Sequence, residues 1–297
     1  MTRRTRALVW GVVGVLAVAA LWELYKFAGP AEGLIVGAVA GEPGSGVMIL
    51  PRTHDRAMPH IWEMFARLGQ SASGGATPPL IVPVITAALT TLGIAAAGWA
   101  IGVVVGAALG LVMQRWRLAE WGMLPWIVLS QTVPLIAFAP VISSIGTQID
   151  RSGTPWPQWF SVAIIASYLA FFPVAIGALQ GLRSPERAHV DLMRSYAAGY
   201  WPTLVRLRLP AAVPYLLPAL RLAAANAVLG AVVAEVSIGM RGGIGRMLIQ
   251  LAGQASSDPA APWGPTFGAI ALGLIAAGSI AIMGLGLSNY RRGEATA

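Results

Sequence analysis

About six runs of apolar residues, each as long as a bilayer is thick, limit what this chain can fold into. They occupy residues 8–27, 84–113, 121–145, 160–182, 216–238 and 266–287. About 20 apolar residues cross roughly 30 Å of hydrocarbon as a helix. Inside a bilayer each backbone N–H and C=O must bond within the protein, so runs of this length fold as helices. Charge agrees with the reading: Asp, Glu, Lys and Arg make up 11% of the chain, against roughly 25% in a soluble domain. The sequence therefore predicts an all-α integral membrane protein of about six transmembrane helices.

The first run has a rival reading as a signal peptide, with Arg3, Arg4 and Arg6 as its basic start. Signal cores are usually about 7–15 residues, and this run is longer, which favours a retained helix over residues 1–28. Glu23 and Lys26 near its far end can reach headgroups or pair.

A net charge of +8 would suggest nucleic acid in a soluble chain. Here the placement of the arginines argues against that partner. Arg3, Arg4, Arg6, Arg115, Arg117, Arg183, Arg187, Arg194, Arg206, Arg208, Arg221, Arg291 and Arg292 fall on one side of a six-span topology. Only Lys26, Arg52, Arg56, Arg67, Arg151, Arg241 and Arg246 fall on the other, although its loops are longer. The positive-inside rule makes the first side cytoplasmic, with both termini there, next to anionic membrane lipid.

Residues 29–83 read as an extracytoplasmic loop. Gly, Pro and Ser clusters at 41–46 and 71–79 mark turns. Between them Ile61, Met64, Phe65 and Leu68 share one face of an amphipathic helix suited to the membrane surface. His54, Asp55, His60 and Glu63 are metal-ligand types, but they lack a recognised ligand spacing and read as a solvated polar face; no metal is assigned.

Gly98, Gly102, Gly106 and Gly110 recur every fourth residue in the second run. Such a stripe lets another helix come close, either within the bundle or between subunits. The third run carries Pro125, Pro134 and Pro140. Proline frees backbone groups, which membrane depth tolerates only inside protein or beside water. Pro134 and Pro140 thus mark a helix that either lines a passage or is merely kinked. Asn226 and Glu235 are polar groups of the fifth run; Glu235 either lies solvated at the outer interface or belongs to the passage.

The longest polar insertion, residues 183–215, lies on the cytoplasmic side. Ser184 can cap a helix, Pro185 suits its first position and Glu186 faces the positive end of its dipole. His189, Leu192, Met193 and Tyr196 make one semi-apolar face, and Gly199 can take the left-handed residue that ends the helix. A second short helix is expected from Trp201 through Arg208, stopped at Leu209-Pro210. The pair reads as a docking surface for another protein.

Catalytic chemistry is missing from the sequence. There is no glycine-rich Lys-Ser/Thr phosphate loop, no His-Glu-x-x-His run and no Cys. The runs bury few ionisable groups of the kind that ion-coupled carriers use. An energy source must then be supplied by a partner, unless the chain is an ATP-independent carrier or channel.

Residues from Asp191 to Gly239, DLMRSYAAGYWPTLVRLRLPAAVPYLLPALRLAAANAVLGAVVAEVSIG, resemble the inner-membrane permease subunits of bacterial binding-protein-dependent ABC importers. The nearest group handles nitrate, sulfonate, taurine, bicarbonate and thiamine precursors. Asp191 stands at the family's acidic position, Leu192 and Met193 at its small pair, Ala197 at its usual glycine, and Leu207, Leu209 and Pro210 at its Leu-Pro end. AEVSIGMRGGIGRMLI, from Ala234 to Ile249, is similar to the segment after that group's fifth span.

The resemblance covers about Thr86 to Leu287 and implies a type I permease core at 84–288 with a short tail at 289–297. It implies a non-catalytic subunit in the bacterial inner membrane, paired with a second permease copy. It also implies two ABC ATPase subunits that carry ATP and Mg, and an extracytoplasmic solute-binding protein; no cofactor falls to this chain. Ser184, Glu186, His189, Asp191, Leu192, Met193, Tyr196, Ala197, Gly199, Leu207 and Pro210 would then form the surface that couples to the ATPase.

Overall fold

A computed structural model describes residues 3–36, 47–71 and 77–286. The turn cluster at 41–46, residues 72–76 of the 71–79 cluster, and the tail at 289–297 with Arg291 and Arg292 lie outside the described residues. In chain order the elements are α1 (Arg3–Ala28), β1 (Leu34–Val36), β2 (Val47–Leu50), α2 (Ile61–Leu68), α3 (Ile81–Arg115), α4 (Arg117–Ser130) and α5 (Leu135–Arg151). They continue with α6 (Gln158–Arg183), α7 (Arg187–Ser195), α8 (Tyr200–Thr203), a π turn (Leu204–Arg208), α9 (Leu209–Ile238), α10 (Ile244–Ala252) and α11 (Trp263–Gly286).

Among the described residues five helices are long and apolar enough to cross a membrane: α1, α3, α6, the continuous helix from Tyr200 to Ile238, and α11. The expected third span, 121–145, is not one helix. It is divided into α4 and α5, which meet at 102°. Proline explains where it breaks. Val133 precedes Pro134 and is disfavoured in the helical region, and Pro134 itself is extended (φ −61°, ψ 116°), so α5 restarts after it. Pro125 and Pro140 sit inside their helices without breaking them.

The described residues fall into two compact units, one from residues 1–83 and 249–266, the other from 84–248 and 267–297. In the first, the far end of α1 organises the loop that follows it. Tyr25 donates to the Pro51 carbonyl at 2.8 Å, Trp22 to the Pro59 carbonyl at 3.2 Å, and Lys26 pairs with Asp55 at 2.7 Å. The loop is not wholly irregular: β1 and β2 pair antiparallel in a short ribbon of aliphatic residues.

In the second unit α6 lies between two partners. The glycine stripe of α3 meets it on one side. A Cβ at Gly98 would lie 2.5 Å from the Ala166 Cβ, at Gly102 2.7 Å from that of Ala170, and at Gly110 2.6 Å from that of Ala178. Helix α9 meets α6 through Gly177 against Ala219 and Gly181 against Ala212. Lipid offers no hydrophobic drive to bring helices together, so close backbone approach and dispersion hold this unit.

Candidate functional site

The polar insertion is a helical elbow between two long helices. Its entry differs from the expected cap. Ser184 closes α6 instead, its hydroxyl donating to the Gly181 carbonyl at 2.8 Å and the Ala211 carbonyl at 3.2 Å. Pro185 lies in the turn, and Glu186 is the N-cap residue of α7. Helix α7 has no buried residue. His189 and Asp191 are exposed and Met193 is half-buried. Leu192 is 53% exposed and Tyr196 77% exposed. Asp191 pairs with Arg194 at 3.1 Å, but both are open to solvent, so the pair adds little stability.

The end of α7 corrects a second expectation. Gly199 is extended (φ −69°, ψ −174°) and starts α8. The left-handed residue is Ala197, with φ 51°. Ala198 N–H donates to the Met193 carbonyl and Ala197 N–H to that of Arg194, the paired bonds of a Schellman cap. Alanine therefore occupies the conformation for which glycine is usual, and carries the steric cost itself.

Leu209-Pro210 does not stop the next helix. The backbone widens into a π turn, and Leu209 N–H reaches back to the Leu204 carbonyl, five residues earlier. Proline has no N–H to donate and its ring clashes with a tightly wound preceding turn; the wider turn accommodates it, and the chain runs on into α9. Leu207 and Pro210 are half-buried in this passage.

A set of long-range bonds fixes the frame around the elbow. Arg183 grips Glu120 through two nitrogens at 2.5 and 2.6 Å and reaches the Met113 carbonyl at 3.4 Å. Tyr200 donates to Gln114 at 3.2 Å, and the Arg115 guanidinium lies 4.9 Å from the Tyr200 ring centre. Leu182, Leu204 and Ala212 form a small buried cluster beneath. Sequence reading did not single out Glu120, Arg183 or Tyr200 as a framework, because their partners lie far along the chain.

The polar groups of the spans have definite places. Asn226 donates to the Leu169 carbonyl of α6 at 3.3 Å and so ties α9 to α6. Pro134 and Pro140 are both exposed. Glu235 is not solvated at an interface: it is 0% exposed. Its carboxylate accepts from the Thr91 hydroxyl at 2.8 Å and from Gly245 N–H at 2.8 Å. Thr91 in turn accepts from Ile244 N–H at 2.9 Å. A Cβ on Gly243 would strike the carboxylate. Glu235 and Thr91 thus clasp the first turn of α10.

In the other unit His60 lies 2.8 Å from Glu23, and His60 N–H donates to Glu63 at 3.0 Å. Lys26 holds the Asp55 carboxyl below its ordinary range, mainly through their hydrogen bond. Among the described residues no cluster of three His, Cys, Asp or Glu side chains could hold a metal.

Residues 102–289 match the family described as binding-protein-dependent transport system inner membrane component. The chain belongs to this family. The matched stretch takes in the elbow, the broken α4–α5 pair and Glu235 with α10, and leaves out α1, the ribbon, α2 and Thr91.

Among similar proteins, the formylaminopyrimidine transport permease protein ThiX of Halalkalibacterium halodurans is 33% identical over 57% of this chain and 65% of its own length. A probable ABC transporter permease protein of Haemophilus influenzae is 29% identical over 51% of this chain and 58% of its own. The putative aliphatic sulfonates transport permease protein SsuC of Bacillus subtilis is 28% identical over 52% of each. The chain therefore spans from 52% to 65% of the length of these curated relatives.

Proposed function

We propose that this family member is the transmembrane permease subunit of an ATP-driven importer, in which α7 is the helix that a separate ABC ATPase grips. The observation that carries the reading is the state of α7: an amphipathic helix with Leu192 and Tyr196 in the open, mounted on a frame pinned by Arg183, Glu120 and Tyr200. An exposed apolar face on a fixed support fits a protein partner better than water. Ser184, Leu207 and Pro210 position that helix, while Glu186, His189, Asp191, Leu192, Met193 and Tyr196 offer the contacts.

The assembly is a second permease copy, two ATPase subunits holding ATP and Mg, and an extracytoplasmic solute-binding protein. The chain lies in a bacterial inner membrane, and the arginine distribution supports α7 and both termini on its cytoplasmic side. ATP-driven closure of the ATPase pair moves the two α7 helices together, and the bundles rock between inward and outward openings. Only a partner that contacts α7 differently in the two states can bias them.

Replacing Asp191 with Ala, or Tyr196 with Ala, tests this. The purified variants should keep the parent's melting temperature but lose captured ATPase and ATP-dependent uptake in reconstituted vesicles. Uptake by the isolated chain without any ATPase would overturn the proposal.

A further inference from the structure

The α4–α5 break has a depth that can be read against α6. Near one end of α6, Arg183 holds Glu120 of α4. Partway along, Tyr168 donates to the Ser130 carbonyl at the break. Near the other end, Gly146 of α5 sits against Trp156, whose indole N–H donates to Ser161 at 2.8 Å. Despite its bend, the pair therefore runs the length of α6. At about 1.5 Å per residue, Tyr168 lies about 15 Å from Gln158 and about 22 Å from Arg183, so the break is deep in the membrane.

Gln131 is half-buried there, and Thr132, Val133 and Pro134 are exposed. The N–H groups of Gln131, Thr132 and Val133 bond within the turn, the Thr132 hydroxyl donates to the Leu129 carbonyl at 2.8 Å and the Gln131 amide to the Ser130 hydroxyl at 3.3 Å; the hydrogen-bonding capacity these side chains keep is best met at that depth by protein or a water-filled cavity. The exposure continues along one side of α5 through Pro140, Ser144 and Gln148, spaced one helical turn apart, toward the outer end, with Ile136, Val141 and Ile145 exposed beside them. No residue from Gln131 to Gln148 is charged.

We infer that the α4–α5 break and this track line the solute passage, and that Gln131, Thr132 and Ser144 are specificity-determining residues for a small polar solute held by hydrogen bonds rather than ion pairs; the inference rests on the permease reading above. Prolines at 134 and 140 keep the lining open by removing backbone donors that a continuous helix would use internally.

The chain has no cysteine, so single cysteines report cleanly. Thr132→Cys, Ser144→Cys and, as a lipid-facing control, Val104→Cys would each be treated in membrane vesicles with a charged, membrane-impermeant methanethiosulfonate. Val104 is apolar and 69% exposed on α3. Thr132→Cys and Ser144→Cys should react about tenfold faster than the control or more, as thiols in water do relative to thiols in lipid. Equal rates would overturn the inference. So would copy-to-copy disulfides at Thr132→Cys without labelling, since the face would then be sealed against a second copy. Should Thr132→Cys fail to fold, Ser144→Cys decides alone. Rapid labelling in a chain that captures no ATPase would keep the passage and remove the ATP-driven reading.

Discussion

The turns that follow α9 and α7 are built on opposite plans. After α9 the chain turns at Gly239 (φ 72°) and Gly242 (φ 88°), and the next helix is clasped by a buried carboxylate. After α7 it turns at Ala197 (φ 51°), and nothing in α7 is buried. The first turn has glycine wherever the backbone is left-handed, and the Glu235 carboxylate that it buries is met by the Thr91 hydroxyl and the Gly245 N–H. The second accepts strain at an alanine and leaves an apolar face bare. A turn whose interactions are satisfied inside the chain holds the fold. One whose best surface is unspent is available to a partner.

Breaking the clasp should have the largest effect. Glu235→Ala leaves the Gly245 N–H without its acceptor, takes from the Thr91 hydroxyl the nearer of its two acceptors (the Ala87 carbonyl at 3.1 Å remains), and opens a cavity. We expect a loss of about 3 kcal/mol or more, read as a lower melting temperature in detergent. Gly243→Ala tests the same contact from the other side. Its methyl must displace the Glu235 carboxylate, an overpacking cost of about 1–3 kcal/mol on the same measurement. An unchanged melting temperature in both would show that the clasp contributes nothing and that the contrast between the turns is false.

The smallest change belongs to the exposed turn and has the opposite sign. Left-handed alanine costs roughly 1–2 kcal/mol, partly offset because glycine loses about 0.5–1 kcal/mol more chain entropy. Ala197→Gly should therefore stabilise the chain by about 0.5 kcal/mol. A loss of stability would mean that the alanine methyl has a packing role.

Which parts of this could be read in advance depended on how far apart the interacting residues lie. The glycine stripe at 98, 102, 106 and 110 was visible because its period is local; that α6 receives it was not. Helix α7 and its semi-apolar face follow from spacing alone, but the structure caps it at Glu186 and not at Ser184, whose hydroxyl is turned to the Gly181 and Ala211 carbonyls. Gly199 was expected at the left-handed position because glycine is the cheapest residue there. The Schellman bonds instead fall at Ala197, where the length of α7 puts them.

Hydropathy by itself determined that the chain is a bundle of membrane helices, because transfer to hydrocarbon is a property of each segment on its own. Turn chemistry determined that a helical elbow interrupts them. Only the tertiary structure decided that the third span is bent, that Leu209-Pro210 is helical, and that Glu235 clasps the start of α10. Thr91 and Glu235 are 144 positions apart. Whether a buried carboxylate is a cost or a support depends on the donors that folding brings to it, and no local pattern encodes those.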